Sequence, residues 1–154
     1  MIFKQCHSHG KKVSDCKIFC IRPEGRIVKQ VSNVIVDVRT AEHTSREIYP
    51  SSKGVISLVG NHIFCKKRRH HRVGTQSATV VDIPKKEGWQ CFSFPVDEIN
   101  TIRYSIFGSI TGVYLIQVTG NNNGYTIRLG KGGDISLSKK IKDFVTAVEN
   151  VMER

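Results

Sequence analysis

The chain has 154 residues, enough for one domain with a true core, and its 39% hydrophobic content excludes a disordered polyelectrolyte. Its 24 Lys+Arg outnumber 13 Asp+Glu, giving a formal charge of +11. That excludes nothing about fold but predicts attraction to polyanions: nucleic acid, anionic lipid headgroups or an acidic protein face.

The pattern is mostly β. Cys16 to Ile21 reads as a strand and Pro23-Glu24-Gly25 as a turn. Arg26 to Val38 is rich in β-branched residues and alternates in its second half, ahead of a polar connector from Arg39 to Glu47. A turn is expected at Pro50-Ser51-Ser52-Lys53-Gly54, then a strand from Val55 to Val59, continued or paired by Asn61 to Cys65 after Gly60. Ala78 to Ile83 and Gln90 to Phe94 read as further strands, the second interrupted by Pro95 to Asn100. Arg103 to Phe107 resumes the sheet. Thr111 to Thr119 and Tyr125 to Leu129 form a hairpin around the polar turn Gly120 to Gly124.

After a glycine-rich break, Gly130 to Gly133, the period changes. Leu137, Ile141, Phe144, Val145, Val148, Val151 and Met152 recur at helical spacing, with Lys139, Lys140, Lys142 and Glu149 on the other face. Ser136 or Ser138 is placed to cap this helix. The expected fold is therefore α+β: a mostly antiparallel, curved sheet or partly open barrel closed by a C-terminal amphipathic helix over 136–153. We expect one domain over 1–154, with N-terminal strands or an extension over 1–53.

Three stretches carry a resemblance: FSFPVDEINTIRYS, TGVYLIQVTGNNNGYTIRLG and LSKKIKDFVTAVENVM. In this order they resemble the second half of a pleckstrin-homology-like domain of the bacterial or GRAM-like form. Pro95-Val96-Asp97-Glu98-Ile99 matches its corner, and GVISLVGNHIFC resembles an earlier strand pair, with Asn61-His62-Ile63 at the signature position. The resemblance covers Gly54 to Arg154, so 54–154 would be the PH-like core. It implies a non-enzymatic module that binds phosphoinositides, peptides or partner proteins.

The strongest site signal is a run of cations, Lys66-Lys67-Arg68-Arg69-His70-His71-Arg72, in a segment with no Asp or Glu from Ile48 to Val81. Following Ile63-Phe64-Cys65, it is expected to leave a strand and fan into water as an exposed loop. Lys85 and Lys86 would add charge across that loop. Lysines and arginines so placed can meet phosphate or carboxylate in several geometries, arginine bidentately. His70 and His71 would lose protons easily beside arginines and regain them when an anion binds.

Other constellations are weaker. Cys6, His7, His9, Cys16 and Cys20 are zinc-type ligands without a zinc-type spacing, so no metal is expected. The cysteine total of five is odd and unpatterned, which reads as free thiols in a reducing compartment. No apolar run is long enough to cross a bilayer, and the first residues lack a secretory signal pattern. Together these lead to an expected place in the cytoplasm, peripheral to a membrane where the partner is lipid. Asp97 and Glu98 suit a turn better than acid–base chemistry. Gly130 to Gly133 does not match a phosphate loop. The expected protein is non-catalytic and cofactor-free, and its basic loop docks membrane headgroups or an acidic protein. The alternative is a nucleic-acid-binding protein using the same loop, weakened because Trp89 and Tyr104 lie away from the run in sequence.

Overall fold

The computed structural model describes residues 2–7, 20–40, 47–68, 71–74, 80–83, 88–107, 111–119, 124–132 and 134–154. Among them are strands β1 (Ile2–His7), β2 (Ile27–Thr40), β3 (Glu47–Val59), β4 (His62–Arg68) and β5 (His71–Gly74). They are followed by β6 (Val80–Ile83), β7 (Gly88–Pro95), β8 (Ile99–Phe107), β9 (Thr111–Val118), β10 (Tyr125–Gly130) and helix α1 (Leu137–Met152). Eight strands make one antiparallel sheet in the order β1-β7-β4-β3-β2-β10-β9-β8, and β5 pairs with β6 in a separate ribbon. The sheet is curved and unclosed, and α1 packs on it in the PH-like layout expected above.

The long strand β2 joins two meanders. Its whole length pairs with β3, while Ile35 to Thr40 also pairs with β10. Between Val31 and Val34 the register with β3 shifts, and there Asn33 adopts φ 60°. A bulge with one left-handed residue bends a strand and raises its twist, and Asn tolerates that conformation better than most side chains.

The core follows from alternation on one face and helical periodicity on the other. Val34, Val36 and Val38 from β2, Ile56 and Leu58 from β3, and Phe92 and Phe94 from β7 all point inward. Onto them α1 lays Leu137, Ile141, Phe144, Val145 and Val148, the stripe expected from its spacing. Each fully buried side chain of this size contributes about 1.5–3 kcal/mol. The lysines of α1, Lys139, Lys140 and Lys142, are exposed on its other face.

Several local expectations are corrected. Pro50 to Gly54 is not a turn but the middle of β3, because a register shift between Val36 and Val38 takes up the extra residue that Pro50 requires. The division at 53/54 therefore falls inside a strand. The turn lies at Gly60-Asn61, where Gly60 has φ 59°. Cys20 and Ile21 precede β2 as irregular chain rather than strand, and Cys16 to Phe19 lies outside the described residues. Asp97 and Glu98 belong to a single 3-10 turn, Val96–Glu98, at the corner between β7 and β8.

Ser136 occupies the N-cap position of α1 but makes no capping bond. Instead Asp134 Oδ1 accepts from the Ser136 N–H at 3.0 Å and from its hydroxyl at 2.6 Å. Those bonds hold the Asp134 carboxyl below its ordinary range, with Lys140 and Lys53 adding smaller pulls.

Candidate functional site

The basic run is not a loop at its start. Lys66, Lys67 and Arg68 complete β4, and His71 and Arg72 open β5. Arg69, His70, Lys85 and Lys86 lie outside the described residues. The reason is hairpin geometry: β4 pairs residue for residue with β3 from His62–Val59 to Lys67–Gly54, and with β7 as far as Arg68–Trp89. Two flanking partners extend the strand through its charges.

A strand sends successive side chains to opposite faces. Ile63, Cys65 and Lys67 therefore point into the core, while Phe64, Lys66 and Arg68 point away from it. Lys67 is 0% exposed, at the end of the core beside Gln90 of β7. Its stem runs over Gly54: a Cβ added to that glycine would stand 2.6 Å from Lys67 Cβ. Only glycine leaves room here. The expectation that Lys67 reaches a ligand from an exposed loop is overturned.

Cys65, one layer deeper, is fully buried, and burial pushes its thiol up to about 12 against a smaller opposing pull from the Lys67 charge. It is a free thiol, as expected for all five cysteines. Cys20 and Cys91 are not: they form a disulfide with Cα atoms 5.7 Å apart. Cys20 is thereby also removed from the zinc-type set. Among the described residues no group of three or more His, Cys, Asp or Glu side chains could hold a metal ion.

The outward face carries the candidate site. Lys66 Nζ sits 4.7 Å from the centroid of the Trp89 ring, a cation–π contact. Arg68 is exposed directly opposite Trp89. Lys53, also exposed, points the same way, since Val55 two residues on is the partner of Lys66. The Ser52 hydroxyl donates to the Arg68 carbonyl at 2.6 Å, which pins the β4 end to β3. Lys53, Lys66, Arg68 and Trp89 thus form one rim. Trp89 and Lys53 were missed in the sequence. Their signal was the alternation of β4 and β7, which aligns Trp89 with Arg68 once the strands pair.

Two arginines elsewhere on the sheet share one buried carboxylate. Asp37 is 4% exposed, and its Oδ2 lies 3.5 Å from Arg39 Nε, 3.6 Å from Arg128 Nη1 and 3.4 Å from the Ser51 hydroxyl. Those two arginines hold the sheet together, Arg128 reaching Asp37 from the directly paired position on β10.

Beside the rim, on the same face, a cavity of about 420 Å³ opens under the segment that starts at Cys20. Cys20, Ile21 and Pro23 roof it, with Phe64 and Cys91 below. The roof is fastened twice, by the disulfide and by the Gly60 N–H donating to the Arg26 carbonyl at 2.9 Å. No protein-family model and no curated protein matches the chain.

Proposed function

We propose that the chain is a non-catalytic, PH-like binding module that docks an anionic partner, membrane headgroups or an acidic protein surface, through the rim of Lys53, Lys66, Arg68 and Trp89. The observation that carries this is the convergence of three cations and an aromatic ring on one face of three neighbouring strands, β3, β4 and β7. Such a face offers charge, bidentate arginine geometry and a flat ring. Tryptophan beside cations also suits the boundary between lipid and water. Membership of the pleckstrin-homology-like group belongs to the same proposal, supported by the strand order and the closing helix.

Nucleic acid is the second reading. The Lys66–Trp89 contact supplies the aromatic–cation pairing that sequence distance had argued against. For location, the cytoplasmic expectation drew in part on free thiols, and the Cys20–Cys91 bridge removes that part of its ground. A bridge of this kind favours an oxidising compartment. No helix among the described residues is long and apolar enough to cross a membrane.

The test is charge reversal at the two exposed cations, Lys53→Glu with Arg68→Glu. Co-sedimentation with anionic vesicles and mobility shifts with DNA and RNA are run at rising salt. The double variant should lose binding with an unchanged circular dichroism spectrum. If nucleic acid is the partner, removing two phosphate contacts should lower the salt slope by about 2. Equal binding by wild type and variant would refute the rim.

A further inference from the structure

The cavity beneath the Cys20 segment lies beside the rim on the same face of the sheet but is chemically unlike it. Phe64 forms its base, two positions before Lys66 on the outward face of β4. The Cys20–Cys91 bridge lies along it, and Cys91 is the cross-strand partner of Lys66. Ile21 in the roof is 65% exposed, a large apolar side chain left facing water beside a groove of about 420 Å³. That volume lies within the range of small-ligand sites, which are mostly apolar with few polar groups. Arg22 and Glu24, both exposed, line it with opposite charges, so the groove itself does not select an anion. The charge selection comes from the rim, roughly 13 Å along β4 between Phe64 and Arg68.

We propose that this groove holds the acyl chain of a fatty carboxylate, with its head on Arg68 and Lys53. The inference rests on the reading of the rim as an anion-docking face. One extended chain lies along β4, covers Ile21 and Phe64, and brings the carboxylate to the exposed guanidinium. A rim alone would bind headgroups. Rim and groove together bind one amphiphile lengthwise, which makes the module a carrier or sensor of single acyl chains.

The experiment uses the full oxidised chain and dodecanoate below its micelle-forming concentration. Emission from Trp89 is followed, because it is the chain's single tryptophan and lies against Lys66. A saturable change at one ligand per chain is expected, with butanoate producing none. Ile21→Asp should weaken binding at least tenfold without unfolding, since that side chain is largely in water, and Phe64→Asp should do the same from the base. Wild-type affinity in both variants, or no saturable change in wild type, overturns the inference. Vesicles of phosphatidylcholine with phosphatidylglycerol run in parallel separate the two readings. Vesicle binding that is lost only with Lys53→Glu and Arg68→Glu, alongside no dodecanoate binding, removes the groove and leaves the docking face standing. No binding of wild type to vesicles, nucleic acid or dodecanoate overturns both.

Discussion

Two short basic segments in this molecule meet different fates. In α1, Lys139, Lys140 and Lys142 all reach solvent. In β4, Lys66, Lys67 and Arg68 are consecutive, and the middle one is buried. A turn of helix spans 3.6 residues, so neighbouring side chains fan over a broad arc and can share the wet side. A strand has period 2, so no two neighbours share a face. A run of like charges is therefore a solvated feature on a helix and a divided one in a strand. Charge density alone does not say which.

The sharpest way to break that contrast is to reverse one lysine in each segment. Lys67→Glu should cost at least about 3–5 kcal/mol in a urea titration, because it exchanges a buried cation for a buried anion among groups arranged for the former. Lys140→Glu should stay within about 0.5 kcal/mol. Equal effects would mean that Lys67 is not enclosed. Simultaneous reversal of Lys66, Lys67, Arg68 and Arg69, natural for a loop, would report on folding here instead of binding.

The apolar side of α1 gives the next effect. Phe144 is fully buried, and Phe144→Ala should cost about 3–5 kcal/mol by denaturant titration. A neutral result would undock the helix. Gly54→Ala tests the space that Lys67 occupies. A Cβ there meets backbone and side chain of Lys67 under 3.0 Å, so β4 must shift, at about 1–3 kcal/mol. Stability unchanged by the methyl would show the two strands able to part freely.

The last effect is absent at neutral pH and emerges only in alkali. The unfolded Cys65 thiol ionises near 9.0, whereas the folded one waits until about 12. Above pH 9 the unfolded state alone releases this proton, so the contribution of Cys65 is complete below 9 and fades as pH rises toward 12. Cys65→Ser should flatten that alkaline limb of the stability curve. In the native protein, Cys65 should resist iodoacetamide at neutral pH until denaturant is added.

These contrasts also mark where the sequence was readable. The α1 stripe, the β9–β10 hairpin and the Pro95 corner follow from periods and turn residues that sit within a few positions of one another. The β4 end does not. Lys66 to Arg68 reads as a loop because charges are poor strand formers, and only the ladders to β3 and β7 hold them extended. Pro50 misleads for the same reason: the bulge that accommodates it is set by β2. Trp89 reaches Lys66 across 23 positions of chain through register, which no local window contains. The Cys20–Cys91 pairing is likewise tertiary.

That bridge links positions 71 apart, enclosing all five strands from β2 to β6 in a covalent ring that closes on β7. A protease that cuts once anywhere between residues 21 and 90 would therefore open the ring without separating the pieces. Before reduction the nicked chain keeps its full mass, and its β-strand partners stay at high effective concentration, so the sheet can re-form around the break. Only a reductant releases two fragments. A single cleavage that passes unseen on a non-reducing gel and doubles the bands on a reducing one is the behaviour this tether imposes.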